Sequence, residues 1–320
     1  IYGAGGVGGV IGAQLFQGNV DVTLIARGDH LAAIQDRGLL YKTPEQSVHV
    51  PIPAVSHPRE INFRGDEVVI LTMKTQHTEA ALEDLRLAAG DEVPLFCCQN
   101  GVANERMALR RFQNVHAMMV YLPAILLDPG TVLAHAARKS GVLDASIYPT
   151  GSNDLVAEVT ASLNSVNFSA RPNPTVMRFK YGKLIMNLGN ALAAVSPPGD
   201  EADAIRAQMR AEAEACMTAA GIDCAPQAEE KARRGELMKS APVAGEARGG
   251  GSSWQSLARG TGNIEADYLN GEIALLGRLH GVPTPANITL QRLANQLAAN
   301  KGEPKSIPLA EVRRQIDQVS

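Results

Sequence analysis

Apolar residues in the first half of the chain fall into short blocks separated by turn residues. Ile1-Tyr2 runs into the glycine-rich Gly3-Ala4-Gly5-Gly6-Val7-Gly8, after which the pattern reads as a helix through Gln17. Asp21–Ala26, Val68–Thr72, Val93–Cys98 and Val115–Tyr121 are apolar runs of strand length. Between them, Asp29–Arg37 and Thr78–Ala89 carry apolar residues at helical spacing, and another helix follows Gln99-Asn100-Gly101. Strands without polar alternation are buried on both faces. Their alternation with helices predicts βαβ units and a doubly wound parallel sheet, an α/β fold. A strand usually holds about five or six residues, so about three would precede Ile1.

The rhythm changes after about residue 170. From Pro174 to Ser320 the long segments, such as Asp203–Ala220 and Glu265–His280, are rich in Ala and Leu at helical spacing. Arg171-Pro172-Asn173-Pro174 forms a natural joint. The expected division is therefore residues 1–172, holding the sheet, and residues 173–320, an all-helical domain. Ala241–Ser253 (APVAGEARGGGSS) is expected to be a mobile loop in the helical half, and no internal repeat is visible.

Composition narrows the function classes. With 320 residues, 45 % hydrophobic and 20 % charged, the chain is neither disordered nor fibrous. A net charge of −3 gives no reason to expect nucleic acid or an anionic membrane as partner. Base-stacking platforms are also disfavoured by a content of only 6 Phe, 6 Tyr and 1 Trp. The longest apolar stretch, Ala117–Leu127, is interrupted by Pro123 and too short to span a bilayer. Cys97, Cys98, Cys216 and Cys224 show no CxxC and no metal-ligand spacing, which suits reduced thiols in a cytoplasmic protein without a metal site.

Gly3-x-Gly5-x-x-Gly8 follows a strand-like stub, opens a helix and precedes a second strand at the expected distance. This is the setting in which such glycines form the dinucleotide fingerprint of a Rossmann-type domain, with the pyrophosphate at the helix N-terminus. Gly3, Ala4, Gly5, Gly6, Val7 and Gly8 are therefore candidate cofactor ligands; the plain alternative is a turn without function. At the end of the second strand stands Arg27, where an NAD enzyme usually has an acid. A guanidinium suits a 2′-phosphate, so NADPH is expected; Asp29 nearby keeps NAD as the alternative.

Lys183, Asn187 and Asn190 fall at i, i+4 and i+7 of one helical run and so on one face. A lysine there can protonate a carbonyl oxygen that receives hydride, although spacing alone favours an ordinary solvated face. Glu265 follows Asn263, a good N-cap, and an acid in a first turn also simply complements the helix dipole.

Taken together, Gly3–Gly8, Lys74, Asn100-Gly101, Lys183-Leu184-x-x-Asn187, Ser252-Ser253 and Glu265-Ala266-Asp267-Tyr268-Leu269-Asn270-Gly271 resemble the ketopantoate reductase family. The likeness runs in order along essentially the whole chain. It implies an NADPH-dependent 2-dehydropantoate 2-reductase of pantothenate synthesis, with its active site in the cleft between the two domains. On this likeness Lys183 is the general acid and Glu265 orients the substrate, both catalytic. Asn100 lies by nicotinamide and substrate; Asn187, Asn190 and Ser253 hold the substrate; Arg27 and Lys74 serve the adenosine phosphate end.

The chain departs from the family pattern in two places. It reads Ser252-Ser253-Trp254-Gln255-Ser256-Leu257 where the family often has Ser-Ser-Met-x-Gln-Asp, and its second helix asparagine, Asn190, comes one position early. Both bear on which 2-oxo acid is accepted. An opine- or imine-type dehydrogenase of the same architecture is the rival reading, and a non-catalytic NADPH-binding regulator a weaker one. The expected partner is a small 2-oxo acid, with room left for a homodimer.

Overall fold

The computed structural model describes residues 1–126, 128–243 and 250–319. Two compact units emerge: Ile1–Met177 with Ala228–Arg248, and Arg178–Gln227 with Gly249–Ser320.

The first unit contains, in chain order, α1 (Gly6–Gln17), β1 (Leu24–Ile25), α2 (Gly28–Arg37), β2 (Leu39–Lys42), β3 (Ser47–Val50), β4 (Ala54–Val55), β5 (Val69–Leu71) and α3 (Thr78–Ala89). It continues with β6 (Leu95–Cys97), α4 (Asn104–Leu109), β7 (Val115–Met118), β8 (Ala124–Ile125), β9 (Thr131–Ala134), β10 (Gly141–Val142), β11 (Ala145–Ile147), α5 (Asp154–Ser165) and β12 (Phe168–Ser169). The main sheet runs β4, β1, the opening residues at Tyr2, β5, β6 and β7, all parallel, with β11 antiparallel at the edge. This is the strand order of a dinucleotide-binding sheet, whose ligands meet the carboxyl ends of the strands beside its first strand. The paired strands are shorter than the apolar runs that predicted them.

A second sheet, ordered β3-β2-β9-β8, lies against α1. The alternation of buried and half-buried residues in β2 and β9 marks one face packed on that helix. Glycines let α1 approach both neighbours: a methyl on Gly12 would lie 2.6 Å from Leu24 Cδ2, and one on Gly9 would lie 2.8 Å from Val132 Cγ1. Val10, Ile11, Leu24, Tyr41, Phe96 and Val132 form the heart of this core.

Within the expected helical half, α9 (Gln227–Arg234) and the strand-like Lys239–Ala241 pack into the first unit. Arg233 Nε donates to Asp144 Oδ2 at 2.7 Å and its Nη2 to Asp144 Oδ1 at 2.5 Å. Asp144 is fully buried, and Ser169 accepts the remaining guanidinium bonds. Burial first, then the field of Glu230 and the hydrogen bond between the two, push the Tyr121 phenol up, while Arg234 lies 5.0 Å over the Tyr121 ring.

The second unit is built from α6 (Val176–Asn187, its first turn in the first unit), α7 (Gly189–Val195), α8 (Glu201–Ala219), α10 (Ser252–Ala258), α11 (Asn270–His280), α12 (Pro285–Ala299) and α13 (Leu309–Asp317). Its core includes Leu188, Val195, Ile205, Met209, Ile273 and Leu290. Three expectations are corrected here. The periodic run Glu265–His280 is a 3₁₀ turn, Glu265–Tyr268, followed by α11; Leu269, at φ −115° and ψ −88°, breaks the helix between them. Asn263 does not cap that turn: Ile264 occupies the cap position, and the Asn263 amide donates to the Thr261 carbonyl. Ser252 and Ser253 open α10 instead of ending a loop, and residues 244–249 of that expected loop lie outside the described residues. Among the described residues no helix is long and apolar enough to cross a membrane.

Removing the guanidinium at Arg233 strands a buried carboxylate. Arg233→Met should cost about 3–5 kcal/mol in urea unfolding, and adding Asp144→Asn should recover part of it. An unchanged unfolding midpoint in the single variant would contradict this account of how α9 is held.

Candidate active site

The glycine-rich turn is closed from several sides. Gly3 has φ +93°, and a methyl there would meet Met73 N at 2.6 Å. A methyl on Gly8 would collide with Thr72 Oγ1 and lie 2.7 Å from the Gly3 carbonyl. The Thr72 hydroxyl donates to the Gly3 carbonyl at 2.8 Å, and the Gly3 N–H to the Ile25 carbonyl at 3.0 Å. At Gly5, by contrast, a methyl would meet nothing nearer than 3.9 Å, so that side of the turn is open. Gly5 also serves as the N-cap of α1 with no side chain bonded to the helix end, which leaves its partial positive charge for an anion.

His30 holds the turn from behind. The Gly130 N–H donates to its Nδ1 at 2.9 Å, which leaves the proton on Nε2, 2.7 Å from the Ala4 carbonyl. Sequence reading missed this residue because its two partners lie 26 and 100 positions away.

Arg27 follows β1 in extended conformation (φ −139°, ψ 157°) and is exposed. Lys74 caps the 3₁₀ turn Thr75–His77 after β5. Their fields meet at His77, whose pKa is held below the ordinary histidine value by burial first, then by Arg27 and by Lys74. Tyr2, in the same corner, is pushed up to about 12 by burial and by Asp84, against the field of Arg27. Arg27 and Lys74 thus both bear on the corner that holds His77.

Asn100 follows β6 in a turn completed by Gly101 at φ +76°. Beneath it lies a buried chain of hydrogen bonds. Gln99 Nε2 donates to the Met73 carbonyl at 3.0 Å and to Thr78 Oγ1 at 2.8 Å. Thr78 donates to Asn104 Oδ1 at 2.8 Å, and Asn104 Nδ2 donates to Thr75 Oγ1 at 3.2 Å and to the Asn100 carbonyl at 3.0 Å. This chain links the loop carrying Lys74 to the loop carrying Asn100.

In the second unit, Lys183 and Asn187 share α6, the lysine half-buried and the asparagine buried. Asn190 does not continue that helix as its spacing implied. The ladder breaks at Leu188, whose carbonyl accepts from Asn270 Nδ2 at 3.3 Å, and Asn190 belongs to α7. Ser253 is buried in the first turn of α10, which packs on α7. Glu265 is buried at the start of its 3₁₀ turn, which packs on α11 and α12.

The residues after Glu265 build its support. Asp267 accepts from Gln291 Nε2 at 2.8 Å and from Asn295 Nδ2 at 2.6 Å. Asn270 Nδ2 also donates to Asn287 Oδ1 at 3.0 Å, and a methyl on Gly271 would meet Gln291 Nε2 at 2.7 Å. Glu212 accepts from the Ala286 and Asn287 N–H groups at 2.9 and 3.0 Å, capping α12. Among the described residues no cluster of His, Cys, Asp or Glu is arranged to hold a metal ion.

A dinucleotide-binding sheet with a glycine turn, in a chain whose helical unit bears a lysine and a buried glutamate, defines the class of two-unit nicotinamide-dependent oxidoreductases. Comparison with known proteins narrows the class. Residues 1–145 match Ketopantoate reductase PanE/ApbA, and residues 166–298 match the C-terminal part of the same family. A 2-dehydropantoate 2-reductase of Mesorhizobium japonicum is 27 % identical over 94 % of this chain and 98 % of its own length. One from Pyrococcus horikoshii is 30 % identical, the match spanning 62 % of either chain. A solved PanE/ApbA family ketopantoate reductase from Ralstonia eutropha is similar with TM-score 0.78 and 28 % identity, over 94 % of this chain and 99 % of that one. D-mandelate dehydrogenase, solved with NADH and anilino(oxo)acetate, shares the fold at 20 % identity and TM-score 0.78, over 94 % and 99 % of the chains. The chain belongs to the ketopantoate reductase family, and it is an oxidoreductase.

Gly8 has no room for a side chain against backbone. Gly8→Ala should lower stability by about 1–3 kcal/mol, and it should weaken binding of a nicotinamide dinucleotide as the turn opens. Calorimetric unfolding and fluorescence titration read both effects; an alanine variant with wild-type behaviour would refute the packing argument.

Proposed function

We propose that the protein reduces the C2 carbonyl of a branched 2-oxo acid, 2-dehydropantoate or a close analogue, with NADPH. The observation that carries this reading is the scaffold around Glu265: Asp267, Asn270 and Gly271 tie the signature into α12 and the break between α6 and α7, and so present a buried carboxylate in the unit that also bears Lys183. The residues of the first unit fit the cofactor. The open side of Gly5 and the uncapped α1 N-terminus suit the pyrophosphate, with Gly3, Ala4, Gly6, Val7 and Gly8 shaping the turn, and Arg27 with Lys74 suits a 2′-phosphate.

The bound nicotinamide supplies the hydride; the protein supplies position, charge and a proton. Lys183 donates the proton to the oxo oxygen and stabilises negative charge developing there. Glu265 orients the substrate through its hydroxyl, while Asn187, Asn190 and Ser253 hold its polar groups, the serine nearest the carboxylate. Asn100 fixes the edge at which nicotinamide and substrate meet. Steady-state NADPH oxidation with 2-dehydropantoate and a panel of aliphatic and aromatic 2-oxo acids tests the reading. Turnover only in the presence of an added amine would favour the opine- or imine-type alternative.

Two outcomes follow from these roles. NADPH should bind more tightly than NADH by about 1.5–3 kcal/mol, as for hydrogen bonds to a charged group. Arg27→Ala should erase the difference, and NADPH but not NADH should raise the His77 titration midpoint seen by NMR, since an added anion favours the imidazolium. Equal affinities would remove Arg27 from the cofactor site. Lys183→Ala should lower kcat about 10²–10⁴-fold with NADPH affinity nearly unchanged. Glu265→Ala should raise KM and lower kcat together. A Lys183→Ala enzyme with normal kcat would return this lysine to an ordinary helix face.

A further inference from the structure

The second unit contains a pocket of about 200 Å³ that Asn190 lines but none of Lys183, Asn187, Ser253 or Glu265 does. It lies where the end of α7, the start of α8 and the entry to α10 come together. Leu192, Ala193, Pro197, Pro198 and Ala202 give it apolar walls, and the half-buried indole of Trp254 closes another side. The chain passes beneath the indole at Gly250, where a methyl group would lie 2.7 Å from Trp254 Cδ2. Only glycine leaves both the indole and the pocket undisturbed there.

Polar groups occupy this apolar cup in a particular order. Ser196 is 2 % exposed, and its hydroxyl has no hydrogen-bond partner among the described residues. A buried hydroxyl is normally satisfied, so a lone one lining a pocket marks a place for a ligand atom. The Asn190 amide also lines the pocket, beside Gly251. Two cations, Arg206 and Lys305, lie among the exposed residues of the lining. Lys305 is fixed at φ +62° by its N–H, which donates to the Ala194 carbonyl at 2.8 Å. Arg206 Nη1 is 2.8 Å from Asp203 Oδ1, an ion pair whose members are 44 % and 91 % exposed, and such a pair yields readily to a better anion.

We propose that this pocket is a second small-molecule site, for a short-chain hydroxy carboxylate. Its carboxylate lies between Lys305 and Arg206, its hydroxyl meets Ser196 Oγ and the Asn190 amide, and its alkyl chain packs on Trp254 and Leu192. Two cations call for an anion, the buried hydroxyl and amide call for a second polar group, and the walls call for hydrocarbon between them. The site shares Asn190 with the residues proposed to hold the substrate but takes in none of Lys183, Asn187, Ser253 or Glu265, so its failure would leave the reductase reading intact.

Trp254 is the one tryptophan in the chain and reports directly on this pocket. The test titrates the cofactor-free enzyme with 2-hydroxyisovalerate, isovalerate and inorganic phosphate, following tryptophan emission. Hydroxyisovalerate should give a saturable change, with isovalerate weaker and phosphate without a saturable effect in the same range. Lys305→Met should weaken hydroxyisovalerate about tenfold, as expected for a charge-assisted contact. Ser196→Ala should abolish the preference for the hydroxy acid, and Lys183→Ala should leave the titration unchanged. The proposal is overturned by a non-saturating response, by phosphate binding as tightly as hydroxyisovalerate, or by a response lost in Lys183→Ala and kept in Lys305→Met.

Discussion

The first unit's part of the site rests on one buried chain of amide and hydroxyl groups, Gln99–Thr78–Asn104–Thr75. It joins the loops after two adjacent parallel strands, which the sheet itself aligns only as far as Leu71 and Cys97. In a low-dielectric interior each bond strengthens its neighbour, and loss of one partner exposes the full desolvation cost of the other. Lys74 and Asn100 therefore stand on a base that is either complete or badly disrupted. Gln99 extends that base to the Met73 carbonyl, and Met73 packs against Gly3. The glycine turn, the lysine loop and the asparagine loop thus form one connected structure.

The second unit solves the same problem with different parts. Its helices α6 and α7 are divided at Leu188, and the carbonyl released by that break is taken by Asn270, which also bonds Asn287. Asn287 in turn reaches Glu212, the carboxylate that caps α12. The break, the residues following Glu265 and the start of α12 are thereby fixed to one another. A site on helices is only as well placed as the ties between those helices, and here the ties are almost all asparagine and glutamate side chains.

Much of this was legible in the chain because it depends on local pattern. The glycine turn, α1 to Gln17 and α3 over Thr78–Ala89 follow from periodicity and steric need, and the structure has them as read. What sequence could not show depends on partners far away in the chain. The carbonyl at the Leu188 break is taken by Asn270, 82 positions on, and Gly189 beside it is the one local mark of the break. The cap expected of Asn263 failed because its amide bonds the Thr261 carbonyl, leaving Ile264 at the helix start. The β2–β9 sheet escaped notice because its strands are brief and come from distant segments. His30 reads as an unremarkable helix residue until Ala4 and Gly130 are seen on either side of it.

The bond between Arg233 and Asp144 bears on how such a gene can be dissected. The first unit is not a continuous stretch of coding sequence: the chain leaves it after Met177 and contributes to it again from Ala228. A fragment ended at the proline-rich joint near residue 172 would keep every strand of the main sheet yet discard α9. Its buried Asp144 would then face only the exposed Arg171, 3.4 Å away. Recombination that swaps the helical half between relatives would meet the same obstacle, since the incoming segment must carry a guanidinium for a carboxylate it did not evolve beside. Modular exchange between members of this family is therefore constrained by a residue that has no part in the chemistry.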